Sequence, residues 1–174
     1  MRDFAVLMVR LVVGGLLAGH GAQKLFGSFG GSGMEGFAGF LESLGMKPGK
    51  PWAALAGLSE FGGGTLTALG LLNPLGPLGI LGAMCMAAFK AHGVKPIWAQ
   101  EGGGELPVTN AAIAAAIALA GPGKYSLDHA LGVRLPKRLV ALAFISGLVV
   151  AAAGLASDPD DGGGEDDPES GSGG

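Results

Sequence analysis

Residues 4–19 read Phe-Ala-Val-Leu-Met-Val-Arg-Leu-Val-Val-Gly-Gly-Leu-Leu-Ala-Gly, an apolar run interrupted only by Arg10. Such a run suits a membrane helix, because in lipid every backbone polar group has to be satisfied within the segment. Similar runs follow at 52–72, 75–89, 108–120 and 139–156. Each approaches the roughly 20 residues that cross about 30 Å of hydrocarbon, the third and fourth falling short. Of the 174 residues, 49% are hydrophobic and 14% charged, with mean hydropathy +0.48. Soluble domains carry about 25% charge, so a soluble fold is disfavoured. The expected fold is all-α, a polytopic membrane bundle of four helices with a fifth C-terminal span.

Arg10 and Glu60 are the misfits. A charge near the bilayer centre costs roughly 2.5–3.5 kcal/mol on insertion scales and persists where it faces a bundle interior and has a partner. Helical phase places Gly14, Leu17, Gly21 and Lys24 on the face of Arg10, with His20 on its shoulder. Gly57, Gly63, Gly64 and Thr67 share the face of Glu60, and Gly79, Ala83 and Met86 that of Lys90. Small residues let membrane helices approach closely, so these charged faces are expected to be the packing faces. With alternating spans, His20, Lys24, Glu60, Lys90, His92 and Glu105 gather toward one side as a cluster of mixed charge. Arg10 lies deeper, and snorkelling along the bundle axis toward Glu60 is the expected pairing.

The connections carry their own signals. In 27–51, Met34, Phe37, Phe40, Leu41 and Leu44 recur at helical spacing with Glu35 and Glu42 on other faces, predicting a short amphipathic helix in the interface. Gly31, Gly33 and Gly36 there spell G-x-G-x-x-G by chance among 35 glycines, with no strand before them, so nucleotide binding is not expected. Asn73-Pro74 predicts a tight hairpin, and Trp98 in the 91–107 connection suits the headgroup boundary. The basic connection holds His129 and Asp128, expected to be a helix cap and a solvated face. From Ser157 onward the chain has seven carboxylates and no Lys or Arg, so residues 157–174 are expected to be a disordered acidic tail. Arg10, and the lack of a clean small-x-small site, argue that the first segment is a retained span and not a cleaved leader. The expected organisation is a bundle over 1–130, a basic connection and extra span over 131–156, then the tail.

His20-Gly-Ala-Gln-Lys-Leu-Phe-Gly27 closes the Arg10 span, and Gly57-Leu-Ser-Glu-Phe-Gly-Gly63 and Leu69-Gly-Leu-Leu72 lie in the second. His92, Glu105 with Asn110, and Gly121-Pro-Gly-Lys-Tyr-Ser-Leu-Asp128 follow in order. This series resembles the DoxX family over about residues 4–130. The resemblance implies a four-helix membrane bundle related to small membrane subunits of quinone-linked sulfur oxidation, linked in places to oxidative stress, with no settled activity. The fifth span and the tail depart from that pattern.

Chemistry is narrowed by what is present. Cys85 is the only cysteine, which excludes thiol–disulfide exchange within the chain and makes it an apolar filler. Haem ligation by His20 and His92 is disfavoured, since His92 falls past the expected helix end and no c-type attachment motif exists. No metal site and no nucleic-acid surface is expected. A quinone or small solute fits better: a buried Glu60 near His20 can take or deliver the protons that accompany quinone redox chemistry. The alternative is that Arg10, Lys24, Glu60 and Lys90 pair only to hold helix register. Two functions follow: a membrane subunit of a redox system whose partner handles the electrons, or a non-enzymatic scaffold or assembly factor that recruits proteins. A transporter has little support without inverted repeats. Five cations fall on each side of the membrane, but Arg134, Lys137 and Arg138 stand together before the fifth span. That concentration places the N-terminus in the cytoplasm and the tail outside the cell membrane.

Overall fold

The structure is a computed structural model that describes residues 1–157 apart from Val94; the acidic tail beyond Ser157 lies outside the described residues. Lacking proline, the first apolar run continues as helix α1 over Arg2–Phe26 until Gly27 turns left-handed, with φ 69°, and stops it. Helix α2 spans Gly33–Ser43, α3 Gly49–Leu69, and α4 Leu75–Met86, which runs on as a π-helical turn through Ala87–His92. Helix α5 spans Glu105–Ala120, α6 Leu127–Leu131 and α7 Lys137–Ala156. No strand occurs among the described residues.

Helices α1, α3, α4 and α5 form the bundle, each packed on the next, while α2 lies on α3 and α7 on α4. Val13 and Leu17 of α1, Ile80 and Met84 of α4 and Ala114 of α5 meet in the core. The amphipathic helix docks on the bundle: Ala38 and Leu41 are buried with Met46 and Ala53. Its acids clasp the start of α3, where Glu42 accepts a 2.8 Å bond from the Gly49 amide and Glu35 pairs with Lys50 at 2.8 Å. The first amides of a helix lack partners inside it, and Glu42 supplies one.

Three helices are long and apolar enough to cross a membrane: α1, α4 with its π-helical end (Leu75–His92), and α7. Five spans are expected from the sequence, and the other two differ for separate reasons. Helix α5 is apolar but has 16 residues, about 24 Å of rise. Helix α3 is long enough at 21 residues but is diluted by glycine, Lys50 and Glu60.

The closest approach in the bundle is between α1 and α3. A Cβ on Gly14 would lie 2.6 Å from the Ala68 amide nitrogen and 2.7 Å from the Gly64 carbonyl oxygen, and one on Gly57 would lie 2.6 Å from Leu25. Gly21 faces Phe61 and Gly64 faces Ala18 with equally little room. These pairs describe one antiparallel register in which Arg10 falls opposite the end of α3 and Lys24 close to Glu60. At Gly14, Gly21 and Gly64 backbone atoms close the gap, so a side chain there has nowhere to go. Gly64→Val is expected to destabilise the bundle by about 3 kcal/mol or more, whereas Gly15→Ala, which meets nothing within 4 Å, should change stability by less than about 1 kcal/mol. Denaturant titration of the protein in mild detergent compares the two, and equal losses would refute this register.

Candidate functional site

Side chains on a helix tilt toward its N-terminus, and that tilt separates the two misfit charges. Arg10, on the first half of α1, is directed back toward the start of α1. There it meets the end of the antiparallel α3. Its Nε donates to the Thr67 carbonyl at 2.9 Å and Nη2 to the Ala68 carbonyl at 2.9 Å. Nη1 donates to the carbonyls of Pro122 and Tyr125, the latter at 3.2 Å. The last carbonyls of a helix have no partner within it and carry its negative dipole end, so a buried guanidinium caps α3 well. Arg10 does not pair with Glu60, contrary to the expectation from its depth alone.

The residues around this cage are shaped to admit it. Gly70 ends α3 with φ 62°, and a Cβ there would lie 2.5 Å from the guanidinium carbon. Asp128 accepts bonds of 2.8 Å from the amides of both Leu72 and Asn73, while its own amide donates to the Gly70 carbonyl at 3.0 Å. It is 7% exposed, so it is a buried clasp on the α3–α4 turn and not a solvated group. Ser126 caps α6 by accepting from the His129 amide at 3.2 Å. Arg2 donates to the Ala120 carbonyl at 2.8 Å, tying the end of α5 to the same face.

Lys24, near the far end of α1, tilts inward and pairs with Glu60 Oε1. Their side chains are 26% and 2% exposed, so the lysine reaches the surface and the carboxylate does not. The Phe37 ring of α2 lies 4.8 Å from Lys24 Nζ, and Phe26, two residues on in α1, meets Phe61 of α3 edge-on at 5.5 Å. Glu60 Oε2 is buried with no hydrogen-bond partner among the described residues. An unsatisfied buried acceptor costs about 1–3 kcal/mol, more when charged.

The remaining candidates lie elsewhere. His20 is exposed, its Nδ1 3.1 Å from Gln23 Oε1. Lys90 donates to the Ser157 carbonyl, linking the π-helical turn to the end of α7. His92 Nδ1 bonds the Gly102 carbonyl at 2.7 Å, and Glu105 accepts from the Ala99 amide at 2.9 Å. His92 and Glu105 shape the connection before α5, and none of the three joins the Glu60 pair. No group of three His, Cys, Asp or Glu side chains suited to a metal occurs among the described residues.

A model of the DoxX family matches residues 5–93. The chain belongs to the DoxX family. No curated protein and no solved structure matches the chain. Family and apolar helices together make it a membrane protein with an all-α bundle. The DoxX match contains Arg10, Lys24 and Glu60, and ends just after the π-helical turn. Two of the four carbonyls around the DoxX arginine, those of Pro122 and Tyr125, lie beyond it. Asp128 and the caging carbonyls escape sequence reasoning, because backbone acceptors carry no residue signature. The visible signal is the Gly121–Asp128 motif itself, with two glycines and a Ser cap. Arg10→Met is expected to cost about 3 kcal/mol or more by stranding several buried carbonyls, and Asp128→Asn about 1 kcal/mol. Denaturant titration in detergent checks both, and an Arg10→Met variant as stable as the parent would show that the cage carries no load.

Proposed function

We propose that the Lys24–Glu60 pair is a ligand-binding and proton-handling site in a membrane redox system, taking a quinone-type headgroup, with a soluble or membrane partner handling the electrons. The observation that carries this reading is the half-satisfied carboxylate. Arg10 has its charge matched by four carbonyls and is architectural, whereas Glu60 holds one oxygen on Lys24 and keeps the other unpaired at 1% exposure. A buried acceptor in that state can take a hydrogen bond from a hydroquinone hydroxyl, and the neighbouring ammonium can donate to a quinone carbonyl. Phe37 supplies a flat apolar surface against Lys24. Lys24, being partly exposed, provides the route by which a proton reaches solvent. His20, Lys90, His92 and Glu105 are left to support surrounding structure.

The scaffold reading has one observation of its own. Helix α7 packs on α4 around Gly154 and leaves nearly all of its apolar length facing outward, a surface suited to recruiting another membrane protein. For topology, the basic group Arg134, Lys137 and Arg138 at the foot of α7 supports a multi-pass protein of the cell membrane with its N-terminus in the cytoplasm and its tail outside.

Glu60→Gln preserves shape and one acceptor oxygen while removing the charge. In detergent-purified protein with ubiquinone or menaquinone added, it is expected to lower quinone retention about tenfold or more with the helical content unchanged. Unchanged retention, or no retention by the parent protein, would leave the scaffold reading. Lys24→Met, which strands the carboxylate entirely, is expected to destabilise the fold by about 3–5 kcal/mol.

A further inference from the structure

At the end of the bundle where α3 and α5 finish and α4 and α7 begin, a cleft of about 470 Å³ opens between the α3–α4 turn and α6. Asn73, His129, Gly132 and Arg134 line it, together with Asp128. The carboxylate adds little negative character to the opening, because both of its oxygens are held by the Leu72 and Asn73 amides and the residue is buried. Arg134 and, at the first turn of α7, Lys137 and Arg138 are exposed and have no ion-pair partner among the described residues. Lys124, also exposed, follows Gly123 of the cleft lining, and its amide donates to Asp3 Oδ1 at 3.3 Å, so one carboxylate also stands at this edge. The cleft is thus lined by one cation without an ion-pair partner among the described residues, Arg134, and Lys137 and Arg138 follow it closely in the chain at the foot of a membrane helix.

We propose that this cleft binds the headgroup of an anionic phospholipid. Charge complementarity argues for an anion, and the surroundings argue for a lipid over a free phosphate. Leu127 and Leu131 of α6 and Leu139 and Leu142 of α7 flank the cations with exposed apolar side chains, which acyl chains can cover while the phosphate meets Arg134. Arginine matches phosphate geometry with paired donors, and Lys137 and Arg138 add the field of a basic juxtamembrane segment. The bound lipid would join α6 to α7, two elements beyond the DoxX match.

Native mass spectrometry of the full-length protein in low-salt detergent, titrated with phosphatidylglycerol or phosphatidylcholine, tests the site without regard to membrane orientation. Phosphatidylglycerol is expected to bind about tenfold or more tightly than phosphatidylcholine. The R134Q/K137Q/R138Q variant should lose on the order of a hundredfold and R134Q alone about fivefold, while R134K, which keeps the charge without the paired donors, should lose less than R134Q, and the distant K50Q/K95Q should keep the parent affinity within about twofold. The single variant decides the matter if the triple variant does not fold. Equal binding of the two lipids, an undiminished R134Q, or an equal loss in K50Q/K95Q would overturn the proposal. Displacement of phosphatidylglycerol by millimolar glycerophosphate would also overturn it, marking a soluble-anion site instead.

Discussion

The buried guanidinium of Arg10 holds one end of the molecule together. At 1% exposure it has given up its hydration, a loss that protein donors and acceptors must make good. Four backbone carbonyls do so, two from the last turn of α3 and two from the connection after α5. Segments 57 and 112 residues along the chain from Arg10 are therefore tied to its one side chain. Gly70 has to be a glycine there both for its left-handed backbone and for the space the guanidinium occupies. Asp128 then fastens the same connection to the α3–α4 turn, so that an anion and a cation close the face from two sides.

That arrangement depends on the α1–α3 register, which the glycines set. Gly14 and Gly64 bring two backbones into contact, and the contact leaves no freedom for one helix to slide past the other. A shift of one turn would carry Arg10 off the carbonyls and Lys24 off Glu60 together. The two charged centres are consequently not independent features but two readings of the same register at opposite ends. They differ in how far each is satisfied, and this difference separates an architectural charge from one with capacity left over.

Much of this was legible in the residues. The five apolar helices, the amphipathic α2 and the packing role of the Gly14, Gly21, Gly57 and Gly64 faces follow from apolar run length and periodicity. The resemblance to the DoxX family rested on motifs in α1 and α3 and agrees with the match over 5–93. What periodicity missed was direction along the axis. A helical wheel shows that Arg10 and Glu60 both face inward, but it does not show that the Cβ tilt sends one toward the start of α1 and leaves the other near mid-bundle. Phase and span order likewise group Lys90, His92 and Glu105 with Glu60, although each is bonded to backbone elsewhere, at Ser157, Gly102 and Ala99. Asp128 looked solvated because its partners are amides, and any residue supplies an amide.

The sequence by itself determined the solvent of this protein and the faces of its helices, since apolar run length and the phase of small and charged residues are local properties. Only the tertiary structure decided which charges are satisfied. Backbone carbonyls and amides do most of that pairing, and their positions are set by how helices cross and end, not by the identity of the residues that carry them.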